Sequence, residues 1–500
     1  LAGEVDRCAD RRDDDSSKRH DTRTIRNEEH DVIQPGKRTR RSALLVVAAL
    51  SVSGNVLAQT PAPTPDQAQP APADQPPAAN PPAPTPPPAA AEPPAAPPAP
   101  ASFPAMAGPA LRLSDLFTFR PGVFVQLWAN FTQDLNKQTN GDGGGFSRNV
   151  YLRRARFFFG GTIGKSLSYF ILAESANNGS PTADAMGNIN KNVTTFALND
   201  AYLDFKLNDM LSIQAGLMLI PFTRNILQST STYWTLDVGA VSATYIAATE
   251  TTVLRDYGAQ VKINAADNHF ELRGMASEGV RIADLTPSAA TPPGPVARNP
   301  GKNNPRLTAF AQYNFLDPDA GYVFNGQYFG RKKIAAIAAG ADWQPISSDN
   351  PYFATSLTGF AAIPIHGGDP KNGDDEVGGQ VEYLHFHGGG VVPSSPTSAL
   401  GKQDALLIEA GYYNKGAHLS VFGKFEGRFY KDDGSATQTA LKAAGNSRVY
   451  GAGLKYFFAE QIANLTLMYS LTQFPELAAT AAPLRNDSNA IQLQLQVGYF

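Results

Sequence analysis

From Ser114 to its last residue the chain returns about sixteen times to one pattern, a stretch of roughly ten residues in which every second side chain is apolar. Strand side chains point alternately to two faces, so each stretch has one greasy face and one polar face. A soluble sheet hides its apolar face against another sheet or beneath helices. No helical covering layer is legible here. A sheet closed on itself in a bilayer turns its apolar face to lipid and its polar face to a water-filled interior, with strands of about ten residues. The pattern therefore predicts an all-β chain, a transmembrane antiparallel β-barrel of about sixteen strands.

The predicted strands are 122–131, 149–160, 167–175, 199–207, 211–219, 256–263, 269–277, 306–314, 333–343, 352–362, 377–387, 405–414, 419–429, 448–458, 462–471 and 490–500. In the first, Val123, Val125, Leu127, Ala129 and Phe131 form the outer set, and Phe124, Gln126, Trp128 and Asn130 the inner one. In the fourth, Ala201, Leu203, Phe205 and Leu207 face out against Tyr202, Asp204 and Lys206. In the last, Ile491, Leu493, Leu495, Val497 and Tyr499 face out against Gln492, Gln494, Gln496 and Gly498. Tight turns fall at Asn208-Asp209, 264–268, Lys415-Gly416 and Ala459-Glu460, and long loops follow most odd-numbered strands, as in a barrel with one short-looped rim. The parity slips between 315 and 376. There 315–332 and 363–376 are long where short turns are expected, and 344–351 is short where a long loop is expected. Either those turns are elaborated or the strand count is off by one.

Upstream, the composition changes. Residues 1–36 are charged and patternless and read as an extension that builds no core, with the true start inside it and Val32 a candidate. Residues 37–58 read as a secretory signal: Lys37, Arg38, Arg40 and Arg41, then an apolar run from Ser42 to Leu50, then Val56-Leu57-Ala58 as a cleavage site. Residues 59–110 are Pro/Ala-rich, a disordered, polyproline-like spacer or tail, and 111–500 hold the barrel. The single cysteine, Cys8, precedes the expected cleavage site, which suits an exported chain. With 42 Lys+Arg against 45 Asp+Glu, there is no basic surface asking for nucleic acid. No run of about eighteen apolar residues makes a membrane helix.

One stretch shows how the interior is built. Asn149 to Gly161 reads N-V-Y-L-R-R-A-R-F-F-F-G-G. As a regular strand it places Leu152, Arg154, Arg156 and Phe158 on one face and Tyr151, Arg153, Ala155, Phe157 and Phe159 on the other. Arg154 and Arg156 then face a wet lumen. Arg153 falls on the lipid phase, tolerable only near an interface or at a subunit contact. A strand of a soluble sandwich with two exposed arginines is the plain alternative.

The block Arg153-Arg154-Ala155-Arg156 with Gly160-Gly161 resembles the second strand of the phosphate-selective porin O/P family. So do the segment from Asn199 to Lys206, the strand ending Ile220-Pro221-Phe222, Arg255-Asp256-Tyr257-Gly258, and Gly330-Arg331-Lys332-Lys333-Ile334. The terminal Phe500 also resembles the aromatic end of such barrels, although it lies one residue out of phase with the apolar set of the last strand. The resemblance implies a trimeric sixteen-stranded channel in a bacterial outer membrane, with lipid, small ions and solutes as its partners and no cofactor.

An anion-selective pore needs rings or ladders of lumenal cations. The inward candidates are Arg154, Arg156, Lys206, Lys262, Arg273, Lys424, Arg428 and Lys455. Glu174, Asp204, Glu271, Glu409 and Glu426 are interleaved with them and cancel part of their field. The long loop from Pro221 to Arg255 is the expected constriction, with Arg224 and Arg255 as cations against Asp237 and Glu250. These charges predict a general pore with at most a mild anion bias. A phosphate- or polyphosphate-selective channel is the alternative, and a secreted β-rich adhesin or carbohydrate-binding protein is the alternative of another class. His385 and His387 make a possible metal pair without a third ligand, and the acidic turn from Asp369 to Glu376 fails calcium-loop spacing. No nucleophile elbow, phosphate-binding glycine loop or zinc-protease helix is legible, so no enzyme is expected.

Overall fold

A computed structural model describes residues 110–133, 145–183, 189–191, 195–247, 254–279, 304–345, 352–387, 401–434, 436–475 and 487–499. The extension 1–36, the signal 37–58, the Pro/Ala segment short of Ala110, Glu250 and Phe500 lie outside them. Sixteen strands form the barrel: β1 (Thr118–Gln133), β2 (Phe146–Ile163), β3 (Leu167–Asn178), β4 (Ala197–Lys206), β5 (Leu211–Leu219), β6 (Arg255–Ala265), β7 (Phe270–Ser277) and β8 (Arg306–Asn314). They continue with β9 (Ile334–Gln344), β10 (Tyr352–Pro364), β11 (Glu376–His387), β12 (Gln403–Asn414), β13 (Leu419–Tyr430), β14 (Ser447–Ala459), β15 (Ala463–Gln473) and β16 (Asp487–Tyr499). Each pairs antiparallel with the next, and β16 closes on β1 with Ile491 opposite Phe131 and Tyr499 opposite Val123. The short strand Leu111–Arg112 pairs beside β1, and Pro181–Ala183 pairs with Ile189–Lys191 in the β3–β4 connection.

Every predicted strand is present, so the irregular parity between 315 and 376 reflects elaborated turns and not a miscount. The rim where β1 starts and β16 finishes, here called the terminal rim, carries the connections 315–333 and 365–375. Closure satisfies the backbone groups that an open edge would expose, which a bilayer demands.

The faces follow the alternation. On β16, Ile491, Leu493, Leu495 and Val497 are 39–51% exposed, whereas Gln494 and Gln496 are buried. The same inversion runs round the barrel: Leu203, Ile213, Val261, Leu307, Ile337, Leu357, Val421 and Leu467 all lie on the outside. Leaving such a side chain in water costs about 1.5–3 kcal/mol relative to burying it. A band of this size is stable only against hydrocarbon.

One phase prediction is corrected. Opposite β1, Gln126 pairs with Arg154 but Leu127 pairs with Leu152, so Arg153 is an extra residue, a β-bulge. The bulge swings Arg153 from the lipid phase into the lumen and reverses the phase of the residues before it. Tyr151, assigned outward by strict alternation, lies beside the inward Trp128 and receives a hydrogen bond from Asn130 Nδ2 at 3.1 Å.

Two loops and an arginine-lined cavity

The connection after β5 folds inward and docks across the barrel. Its first turn is held by Thr223 Oγ1, which accepts from the Ile226 amide at 3.1 Å, and it ends in helix α1 (Ala240–Ala247). The opposing wall, β10 to β14, supplies its anchors. Asn225 N and Ser242 Oγ donate to Glu382 at 3.3 and 2.5 Å, Thr235 Oγ1 to Glu409 at 2.7 Å, and Val241 N to Glu426 at 3.3 Å. Lys455 donates to the carbonyls of Tyr233 and Thr235. Three inward carboxylates thus each accept from loop donors, one of them at the positive end of α1, and lie beneath the loop.

The wall is cut to receive it. The middle of the inward face of β9 is Ala336, Ala338 and Gly340, and a Cβ on Gly340 would stand 1.9 Å from the Phe222 carbonyl oxygen. Trp234 lies over Gly378 and Gly411, where a Cβ would come within 2.8 and 2.4 Å of its ring. Glycine is required there by close approach, not by backbone angle.

A second loop rises from the terminal rim. Residues 315–333 carry Tyr322, Phe324, Tyr328 and Phe329 into the lumen, all buried. Phe324 bridges Gln228 of the first loop, with Phe324 N donating to Leu227 O at 2.8 Å and Ser229 N to Phe324 O at 2.7 Å. Arg224 locks the junction. It donates to Asp319 at 3.1 Å and lies over the rings of Phe360 and Phe324, with centroids at 3.7 and 4.8 Å. Below it, Glu376 accepts from the amides of Tyr328 and Gly330.

Between the loops and β1 to β4 lies a cavity of about 500 Å³. Its lining runs from Asn177, near the far rim, to Lys332 and Gln461 in connections of the terminal rim. Five cations line it, Arg153, Arg154, Arg156, Arg255 and Lys332, against three carboxylates, Glu174, Asp200 and Asp319. Asp237, from the first loop, reaches Arg153 Nη2 at 2.7 Å and Arg154 Nη2 at 2.6 Å. Burial pushes its carboxyl up, but the two guanidiniums and the Val238 amide outweigh that and hold it well below the usual carboxylate range. Arg156 pairs with Glu174 at 2.8 Å, and Arg255 with Asp200 at 3.0 Å.

The predicted cations thus separate into groups. Arg154, Arg156 and Arg255 reach the cavity, joined by Arg153. Arg255 is the first residue of β6 and not part of the loop. Lys262 and Arg273 share Glu271 and donate to the carbonyls of the second loop, with Arg273 Nη2 2.8 Å from Gly321 O. Lys424 pairs with Glu426 beneath the first loop. Lys206 stands at the terminal rim, 2.7 Å from Asp209, and Arg428 lies inward near the far rim, opposite Ala405. Asp204 is buried beside Gln214.

His385 and His387 stand on the outward phase of β11, with His385 Nδ1 2.7 Å from Asp404. The carboxylates of the acidic turn accept from its own amides and from Tyr412, and among the described residues no group of three or more His, Cys, Asp or Glu is placed to hold a metal. Sequence reasoning missed the second loop. The signal was there: Tyr322, Phe324, Tyr328 and Phe329 crowd a connection that a solvated turn would make polar.

A family model, phosphate-selective porin O and P, matches residues 123–291, which hold β1 to β7, the first loop and the arginine wall. Over that stretch, about a third of the chain, the sequence is similar to the phosphate-selective porin O and P family. Among solved structures, OprB of Pseudomonas putida aligns at 10% identity over 77% of this chain and 94% of that one, with a TM-score of 0.50. The outer membrane channel DcaP of Acinetobacter baumannii aligns at 13% identity over 80% and 100%, TM-score 0.46. An anion-selective porin from Comamonas acidovorans aligns at 9% identity over 77% and 100%, TM-score 0.46. At these identities the likeness concerns the fold alone. No curated protein sequence matches the chain.

Proposed function

We propose that this chain is an outer-membrane porin, a water-filled passage for passive diffusion of small hydrophilic solutes and ions, with a mild preference for anions. Family and fold support the channel. The single observation supporting the preference is the lining of the cavity, where five cations meet three lining carboxylates and Asp237 of the first loop, while Glu382, Glu409 and Glu426 lie beneath that loop. The bias is mild because Arg154, Arg156 and Arg255 each hold a carboxylate. In this reading residues 37–58 direct export, the terminal rim faces the periplasm, and the barrel assembles as the homotrimer that the resemblance implies.

A planar bilayer under a potassium chloride gradient tests it. A reversal potential of modest anionic sign is expected, and a cationic sign or no conductance overturns the reading. The family's name favours a second reading, a phosphate-selective channel. Strong anion selectivity with current blocked by millimolar phosphate would establish that one instead.

A further inference from the structure

The cavity is polar at one level and apolar at the next. On β2, Arg154 and Arg156 face it, and two residues nearer the terminal rim so does Phe158. Leu172 on β3, opposite Phe158, and Phe170, two residues nearer the terminal rim, complete the apolar level, with Phe158 and Phe170 centroids 6.2 Å apart, while Phe124 on β1, opposite Arg156, borders it. Two residues along a strand span about 7 Å, the reach of a carboxylate held by a guanidinium plus one aromatic ring. Arg156 links the levels. Its Nε holds Glu174, its Nη1 donates to Thr230 at 2.9 Å, and its carbon lies 5.8 Å from the Phe124 ring centroid. Among the described residues its Nη2 has no hydrogen-bond partner. Ser229, Thr230 and Ser231 of the first loop add hydroxyls at the same level.

We propose that this cavity is a selectivity site for amphipathic monocarboxylates, a carboxylate joined to a compact apolar and preferentially aromatic body. The proposal rests on the channel reading above and names its solute class. A compact, heavily hydrated phosphate gains nothing from the aromatic level, and the arginines that it would need are already paired with carboxylates. A monocarboxylate asks for fewer free donors. It takes Arg156 Nη2 and a loop hydroxyl with its carboxylate and lays its apolar body against Phe158 and Phe170, as ligand sites with a few placed polar groups on an apolar lining do.

The test uses the purified full chain in planar bilayers and in liposomes, with heat-modifiable mobility as the check of folding. Benzoate, acetate and phosphate are compared at equal concentration. The expected result is that benzoate blocks chloride current at concentrations at least severalfold below acetate, and that phosphate does not block in that range. Arg156→Gln and, separately, Phe170→Ala should each bring benzoate to the level of acetate. If one variant misfolds, the other together with the wild-type series decides. Equal effects of benzoate and acetate on a conducting barrel would overturn the site and leave the porin reading intact, as would block by phosphate alone. Absence of any conductance would overturn both.

Discussion

Asp237 Oδ1 lies 2.6 Å from Arg154 Nη2, so a carboxylate carried on a loop that crosses the lumen caps an arginine of the opposite wall. The loop is therefore tied at both sides, by wall carboxylates on one and by Arg153 and Arg154 on the other. The charge that a passing ion meets depends on that tie.

Replacing Asp237 with Asn removes the cap and frees one positive charge in a wet passage. A unit charge 4 Å from an ion in water is worth about 1 kcal/mol, about fivefold for each ion and of opposite sign for chloride and potassium, so the chloride-to-potassium permeability ratio should rise by about fivefold to twenty-five-fold. Reversal potentials measure this, and an unchanged ratio would show that the pair does not face the permeating ions. Because the Asp237 carboxyl stays ionised well below the usual range, the wild-type ratio should be flat from pH 8 down to about pH 4 as far as this group is concerned.

Trp234 and Gly411 give a packing prediction. A methyl on Gly411 would stand 2.4 Å from the Trp234 ring, so Gly411→Ala should destabilise the barrel by about 1–3 kcal/mol, the usual cost of overpacking. The cost should largely vanish in a Trp234→Ala background, a double-mutant cycle read by urea unfolding. Persistence of the full cost there would place the strain elsewhere.

Arg224 is fully buried, and among the described residues its Nε and Nη1 have no hydrogen-bond partner, its plane being spent on Phe360 and Phe324. Lysine offers a point charge and no plane. Arg224→Lys should therefore loosen the junction of the two loops, and Arg224→Met, which strands Asp319, should cost about 3–5 kcal/mol. Noisier single-channel current and faster proteolysis within 317–330 are the expected readouts. Quiet, protease-resistant channels would argue against the junction as the lock.

Asp374, in the turn beneath the second loop, accepts from the amides of His366, Gly368 and Asp375. Burial pushes its carboxyl up, but the His366 ring and these amides bring it down to about 2. A depressed carboxyl contributes stability that is complete above its ordinary value and lost as pH falls through the folded one. The thermal midpoint should lose a component between about pH 4 and pH 2 that Asp374→Asn lacks, as scanning calorimetry can show. The turn matters because Asp374 N holds Phe329 O at 2.9 Å, and Gly330 packs against it with a φ of 68°.

The strands were legible because their physics is local. Period-two alternation is written residue by residue, and the oily exterior leaves no choice of face, so strand number, phase and closure followed from Val123, Leu203 or Ile491 and their neighbours. Arg153 was misplaced because a bulge depends on how β1 and β2 register against each other, which no single strand encodes. The lumenal cations were recognisable as a set, yet their division was not. Whether Lys455 lies under a loop while Arg156 meets the passage depends on where two loops, remote in sequence, meet across the barrel. Small inward residues such as Gly340 and Gly411 permit that docking without announcing it, since a glycine in a strand has many possible reasons. The sequence alone determined the container, through the demand that lipid and water each meet their own face. The tertiary structure alone decided which charges line the open space inside it, through long-range packing that covers the acidic wall with a loop and leaves the arginine wall facing the cavity.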